Sequence, residues 1–312
     1  MERKLIVTSS PHIRSKEATD KTMRDVVIAL IPATLAGMYY FGFQTLIVVL
    51  LSVAAAMATE AIIQNIRRQP ITVMDYSAAV TGLLLALNLP PEVPFWIPIV
   101  GSIFAIAIAK QAFGGLGHNF INPALAARVF LIASWPIEMT TWKYPVDAVT
   151  EATPLALIKG SRIVPESVSI FNLFIGKIGG CIGEVSALAL LIGGIYLVYR
   201  GVISLRIPLA YMGTVAVLTL FYGGFNINYM MFHLLAGGLV LGAIFMATDY
   251  VSSPMTAKGQ IIYAVGCGLI TVIIRLFGGY PGGVSFSILF MNIVTPLIDK
   301  YVKANVFGGV KK

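Results

Sequence analysis

The sequence predicts an all-α polytopic membrane protein of about ten transmembrane helices, arranged as two inverted repeats of five. Three observations carry this: a composition poor in charge, ten separate apolar stretches, and a lopsided placement of lysine and arginine between them. Hydrophobic residues make up 57% of the chain and charged residues 12%, with a mean hydropathy of +0.85. A soluble domain carries about 25% charged residues. A chain this apolar lacks the polar surface that would keep it in water.

A helix crosses a bilayer with about 20 mainly apolar residues, or fewer where it is short or broken. The stretches that qualify are roughly Val26–Phe41, Thr45–Ile66, Ser77–Leu89, Phe95–Gln111, Pro123–Trp135, Gly179–Tyr199, Ile207–Tyr222, Met230–Thr248, Ile261–Phe277 and Phe286–Tyr301. The third and fifth are the shortest. With the N-terminus cytoplasmic, sixteen of the 22 basic residues fall on the inner side: Arg3, Lys4, Arg14, Lys16, Lys21, Arg24, Arg67, Arg68, Lys110, Arg200, Arg206, Lys258, Lys300, Lys303, Lys311 and Lys312. Four fall outside, namely Lys143, Lys159, Arg162 and Lys177, while Arg128 and Arg275 lie in or at the end of spans. This is the charge bias that orients membrane proteins, and adding or removing one span would scramble it. The chain then divides into a cytoplasmic segment (1–25), a first membrane repeat (26–135), an extracytoplasmic loop (136–178), a second membrane repeat (179–302) and a cytoplasmic tail (303–312). Both termini face the cytoplasm.

The net charge of +8 is accounted for by those basic inner loops. No arginine-rich run interleaves with exposed aromatics, so nucleic acid is not an expected partner; membrane lipid is. Cys181 and Cys267 sit apart in apolar stretches and form neither a disulfide framework nor a metal site. The N-terminus is polar through Asp25, without the pattern of a cleavable signal.

The halves resemble each other. Thr81-Gly82-Leu83, Leu89-Pro90-Pro91, Phe113-Gly114-Gly115 and Asn122-Pro123 recur in order as Gly237-Gly238-Leu239, Ser252-Ser253-Pro254, Phe277-Gly278-Gly279 and Asn292 with Thr295-Pro296. Five spans per half is an odd number, so the second half sits upside down. Inverted repeats with glycine- and proline-interrupted spans place the functional path at their interface. Glycine and proline also recur in membrane helices for packing reasons alone.

The outer loop holds Asp147-Ala148-Val149-Thr150-Glu151-Ala152-Thr153-Pro154-Leu155. By composition this is a polar turn before a proline-broken segment, in which a threonine hydroxyl would cap a helix. The stretch resembles the flavinylation motif of the RnfD family of Rnf complexes, ion-translocating oxidoreductases, and of the related NqrB component of sodium-pumping NADH:quinone reductase. Asp147, Thr150, Ala152, Thr153 and Pro154 match that pattern; Glu151 stands where glycine is most common. Further family-like stretches are Ser10-Pro11-His12, Asp75-Tyr76-Ser77 and Phe113-Gly114-Gly115-Leu116-Gly117-His118-Asn119-Phe120-Ile121-Asn122-Pro123-Ala124. The resemblance spans nearly the whole chain, and the lack of long extensions is closer to RnfD than to NqrB.

The resemblance implies FMN joined through its phosphate to the Thr153 hydroxyl by a flavin transferase acting outside the cytoplasm. It implies a multi-pass place in a bacterial inner membrane, with the other membrane and peripheral Rnf subunits as partners, an extracytoplasmic flavoprotein among them. It implies coupling of ferredoxin:NAD oxidoreduction to Na+ or H+ movement, on a urea-transporter-like fold. Asp147, Thr150 and Ala152 belong to the attachment motif. Arg128 either offsets flavin or phosphate charge or snorkels to the interface. Asn119 and Asn122 offer amides to a second flavin, riboflavin, or belong to a self-satisfied re-entrant turn. Glu60, Glu184 and Asp249 are ionisable groups in or at spans, where such groups are costly and functional. His118 and His233 lack metal-ligand spacing, no cysteine cluster ligates iron–sulfur, and no phosphate-binding glycine fingerprint follows a strand. No side chain of this chain is expected to act as a catalytic acid or base. The competing function is a passive channel or small-solute transporter on the same fold, which has no use for the Asp147–Thr153 motif.

Overall fold

The computed structural model describes residues 19–142, 154–158, 169–176, 178–280 and 282–303, which are helical with connecting turns and contain no strand. The helices are α1 (Thr19–Phe41), α2 (Phe43–Ile66), α3 (Ser77–Leu87), α4 (Trp96–Phe113), α5 (Pro123–Ser134), α6 (Pro136–Thr140), α7 (Pro154–Leu157), α8 (Ile170–Ile175), α9 (Ala187–Tyr199), α10 (Arg206–Tyr222), α11 (Ile227–Leu235), α12 (Leu239–Met246), α13 (Ala257–Phe277) and α14 (Val284–Tyr301). Every one of the ten apolar stretches holds helix. Helices α1, α2, α4 and α13 are long and apolar enough to cross a membrane, and α11 with α12, bent by 63° at a break, pass together as a fifth. The chain is a multi-pass membrane protein. Leu50 and Ile62, each 58% exposed on α2, are side chains that water would penalise and lipid accepts.

Where helices depart from the expected spans, local chemistry explains it. α1 starts seven residues early, with Asp20 in its first turn, where a carboxylate meets the positive end of the helix dipole. The stretch from Gly179 becomes helical only at Ala187. Before that, Ile182 and Gly183 donate their backbone N–H groups to Leu89 O at 3.0 Å and Leu87 O at 2.7 Å, pinning 178–186 against the end of α3. The expected single span over Met230–Thr248 breaks at Gly237, whose φ of +70° a side chain disfavours. Both α4 and α12 relax into π-helical turns, over Phe104–Lys110 and Gly242–Met246; such turns widen the helix and cluster at functional sites.

Helix starts are capped as their sequences suggest. Asn122 accepts from the N–H groups of Ala124 and Leu125, with Pro123 next in line. Ser186, Asn226 and Thr256 do the same for α9, α11 and α13. Each satisfies a donor that a helix leaves unpaired.

Polar pins fix the packing, since lipid tails give no hydrophobic drive between helices. Ser52 Oγ donates to Gly82 O at 2.9 Å and meets Ser102 Oγ at 2.9 Å, joining α2, α3 and α4. In the other half, Tyr211, Thr271 and Ser287 form a buried triangle of hydroxyls at 2.6, 2.9 and 2.7 Å, joining α10, α13 and α14. Tyr211→Phe leaves Thr271 and Ser287 bonded to each other, so it is expected to cost only about 1 kcal/mol. A thermal melt in detergent showing a loss above about 3 kcal/mol would mean that the triangle stabilises the fold as a unit. Across the bundle, Arg200 Nε and Nη2 each reach Asp25 Oδ2 at 3.0 Å and Tyr196 donates to Asp25 Oδ1 at 3.1 Å. That contact ties the start of α1 to the end of α9.

Candidate functional site: two cavities at opposite ends of α5

The first cavity, of about 80 Å³, lies where the end of α5, the start of α12, the 178–186 segment and the start of α7 meet, and its lining includes Arg128, Pro154, Leu155, Glu184, Gly237 and Gly238. Arg128 projects from the middle of α5. Its Nη1 donates to Asn88 Oδ1 at 2.5 Å and to Glu184 Oε1 at 3.1 Å, and its Nη2 reaches Cys181 Sγ at 3.4 Å. The Cys181 thiol in turn donates to Asn88 O at 3.2 Å. The pair is largely desolvated, with Arg128 14% and Glu184 10% exposed, so its attraction is much stronger than at a water-washed surface. One donor remains: Arg128 Nε is buried without a partner.

Glycine shapes this cavity. A Cβ on Gly238 would stand 2.5 Å from Glu184 Oε1, and one on Gly237 would stand 2.6 Å from Leu155 Cδ1 and 3.5 Å from Arg275 Nη2. The Glu184 carboxylate and the Leu155 side chain therefore come this close only because positions 238 and 237 lack side chains, whereas Arg275 Nη2 would meet a Cβ at 237 in ordinary contact.

The second cavity, of about 90 Å³, lies at the other end of α5 and α12, and its lining includes Ser77, Lys110, Asn119, Asn122, Thr248 and Asp249. Lys110 ends the π-helical part of α4. Its Nζ sits 2.8 Å from Glu60 Oε1 and donates to Ser77 Oγ at 2.7 Å. Ser77 Oγ passes the chain on to Asp75 Oδ1 at 2.6 Å, and Gln111 Nε2 also donates to Glu60 Oε1 at 2.8 Å. The side chains of Lys110 and Glu60 are 3% and 1% exposed, and Glu60 Oε2 has no partner. Asp75 Oδ1 also accepts from Ser77 N at 2.8 Å while Tyr76 adopts a left-handed φ of 62°. The Asp75-Tyr76-Ser77 stretch thus caps α3 and aims the serine at Lys110. Asp249 Oδ2 accepts from the Ser252 hydroxyl at 2.9 Å and its Oδ1 from Val251 N at 3.4 Å.

The structure sorts the expected site residues between the two cavities. Asp147, Thr150, Ala152 and Thr153 lie outside the described residues; Pro154, which follows Thr153 directly, is buried and faces the first cavity. Arg128 and Glu184 share that cavity, so Arg128 pairs with a carboxylate instead of snorkelling. Asn119 and Asn122 share the second. Asn122 spends its carbonyl oxygen on capping α5, while its Nδ2 reaches Met246 O at 3.4 Å. Asn119 donates to Ile121 O at 3.1 Å, and among the described residues its Oδ1 accepts no bond. Asn122 N donates to Asn292 Oδ1 at 3.2 Å, so two asparagines that the comparison of the two halves set opposite each other are in contact. Lys110 is not among the expected site residues, because its place at a span end assigns it to the inner loop; its signal is a charge directly following the apolar run Phe104–Ala109. Asn88 and Arg275 were also missed. His118 and His233 gather no metal set: no cluster of three His, Cys, Asp or Glu that could hold a metal occurs among the described residues.

The sequence profile of the NQR2, RnfD, RnfE family matches residues 6–308. Over 314 residues the chain is 57% identical to the D-type component of the Na(+)-translocating ferredoxin:NAD(+) oxidoreductase complex of Acetobacterium woodii, covering 99% of this chain and 97% of that one. It is 46% identical over 316 residues to the D-type component of the proton-translocating ferredoxin:NAD(+) oxidoreductase complex of Clostridium ljungdahlii, covering 97% and 96%. It is 36% identical over 329 residues to the D-type component of an ion-translocating oxidoreductase complex of Stutzerimonas stutzeri, covering 94% and 93%.

Proposed function

The chain belongs to the NQR2, RnfD, RnfE family, and from that premise we propose that it is the RnfD component of an Rnf-type complex. In this role it holds an electron carrier in the membrane while ferredoxin:NAD oxidoreduction drives Na+ or H+ translocation. The carrier is FMN, joined to Thr153. The observation behind this reading is that the matched motif Asp147–Pro154 runs into the first cavity at Pro154 and Leu155, beside Arg128.

The residues present fit such a group. Arg128 Nε is an unused buried donor, suited to a phosphodiester or a negatively charged ring edge. Gly237 and Gly238 leave the wall bare where any side chain would collide. The bound FMN would supply reversible electron transfer; the chain supplies position, charge and shelter. Glu184 and Asn88 fix the direction of the Arg128 guanidinium, and Trp142 and Tyr280 on the lining help to exclude water. Asp147, Thr150 and Ala152 present the Thr153 hydroxyl to a flavin transferase, and an extracytoplasmic flavoprotein subunit delivers or accepts the electron. The second cavity is where riboflavin would bind, with Asn119 Oδ1 as its acceptor and Asn122 shaping the wall.

The first cavity then faces away from the cytoplasm of a bacterial inner membrane and the second faces toward it, with both termini cytoplasmic, as the lysine and arginine count requires. The architecture is ten spans in two inverted repeats, 26–135 and 179–302, of urea-transporter-like form. It is supported by the meeting of Asn122 with Asn292 and by a π-relaxed helix in each half.

The test is in-gel flavin fluorescence of the denatured chain, made together with a flavin transferase. Wild type is expected to give a fluorescent band and Thr153→Val none. A dark wild-type band would reject the covalent flavin and leave a passive transporter on the same scaffold as the better reading.

A further inference from the structure

The outer corner between α9 and α10 is open. These consecutive helices pack on different partners, α9 on α1 and α10 on α13. Between them lies a groove of about 400 Å³ whose lining includes Gly194, Val198, Ile203, Pro208, Met212 and Ile244. A Cβ on Gly194 would stand 3.0 Å from Ile244 Cγ2, so the bare glycine lets α9 close on α12 and gives the groove a continuous floor. Its α9 wall runs from Leu191 to Tyr199, a rise of about 12 Å, close to the roughly 15 Å of hydrocarbon in one leaflet. At the 200–205 turn the character changes. Tyr199 is 86% exposed, as an aromatic at headgroup depth is. Arg200 and Arg206 are exposed and flank the turn. Arg200 spends Nε and Nη2 on Asp25 Oδ2, and its Nη1 has no acceptor among the described residues. Among those residues no carboxylate lies within ion-pair distance of Arg206, which opens α10, and the first turn of α10 holds no acid. A cation at the positive end of a helix is unfavourable by itself, and an anion beside it relieves both charges. The segment 1–18 that leads into α1 holds Glu2 and Glu17 against Arg3, Lys4, Arg14 and Lys16, so in sum it too is positive.

We propose that the α9–α10 groove binds an anionic phospholipid: one acyl chain lies along Gly194, Val198 and Met212, and the phosphate meets Arg206 and the free edge of Arg200. An aliphatic trough that ends in two guanidinium groups at headgroup depth matches both ends of such a molecule, and basic pockets between membrane helices recognise anionic headgroups. A transmembrane helix fits the space less well. A helix 10–12 Å across fills roughly 400–600 Å³ per turn, so the groove holds about one turn of it, whereas a flexible chain fills it lengthwise. Bound there, the lipid bridges two helices that pack on different partners. Binding needs no flavin and is independent of the reading of Thr153.

The experiment uses the purified complex with the photoreactive p-benzoylphenylalanine in place of the half-buried Met212. The complex is delipidated in detergent, supplied with equal amounts of dioleoylphosphatidylglycerol and dioleoylphosphatidylcholine, and irradiated, and its adducts are identified by mass spectrometry. The phosphatidylglycerol adduct is expected to exceed the phosphatidylcholine adduct at least fivefold, and Arg206→Gln to lower that preference about fivefold, the contribution of one basic residue near an anionic lipid. The same probe in place of Leu50, exposed on α2 away from the groove, should capture the two lipids equally. Equal capture at Met212, or the same preference at Leu50, means ordinary boundary lipid and overturns the proposal. An adduct with a peptide of another subunit overturns it in favour of a protein neighbour, and so does the absence of any lipid adduct at Met212. If the Arg206→Gln complex does not assemble, the ratio of the two lipids with both arginines in place decides by itself.

Discussion

Lys110→Met is expected to cost about 3–5 kcal/mol, because it strands the Glu60 carboxylate in a place water cannot reach. Glu60 would keep only the Gln111 amide on Oε1, with Oε2 already bare. Removing both charges is a different matter. In the double variant Glu60→Gln, Lys110→Met, neither desolvation cost remains, and most of the stability should return. A melt with a thiol-reactive fluorescent dye can follow this, since Cys181 and Cys267 are both free and buried and become reactive as the fold opens. The single variant should melt on the order of 10 °C lower than wild type, and the double variant close to it. A single variant melting with wild type would show that the pair is not formed in the membrane. If the double variant is stable yet its complex no longer moves cations, the charges serve transport and not the fold.

Gly193→Ala should yield almost no folded protein. A Cβ there would overlap the Ala29 carbonyl oxygen, with the Phe245 ring 3.1 Å away on another side. The obstacle is the backbone of α1, which cannot rotate aside as a side chain can. Relief requires α1 and α9 to separate, and that would break the contacts of Asp25 with Arg200 and Tyr196. Overpacking costs about 1–3 kcal/mol where neighbours can shift; here it should exceed the upper end. Gly213→Ala is the matched control, since nothing lies within 4 Å of its added methyl, and it should accumulate like wild type. Equal yields of folded protein from the two variants, measured by size-exclusion chromatography in detergent, would contradict the close α1–α9 crossing.

The spans were legible because apolar length is a property of consecutive residues, and so was each isolated charge within them. Pairing was not, because it depends on where other segments fold. Arg128 and Glu184 each stood out, but they meet only because residues 178–186 give up helix to bond the end of α3. Glu60 and Lys110 lie fifty residues apart at neighbouring span ends, a juxtaposition that the expected spans allow. Asn122 shows how a local signal competes with a distant one. An asparagine directly before a proline at a helix start is a cap signal, and of the two roles the sequence allows Asn122, ligand amide or self-satisfied turn, its carbonyl oxygen takes the second by capping α5. The breaks at Gly237 and in the π-helical turns left little trace in the sequence, since glycine is common in these helices and a π turn has no composition of its own.

The pairing of α1 with α9 also sets an order in time. Asp25 and its base Arg200 are 175 residues apart, so at a synthesis rate of about 5–20 residues per second the first helix waits roughly 10–35 s for its partner. Through that interval the Asp25 carboxylate lacks the guanidinium that will hold it, and the α1 surface that will receive Gly193 faces lipid or the insertion machinery. Helix α1 is therefore among the last to find its final place, because the guanidinium that holds Asp25 is made 175 residues later.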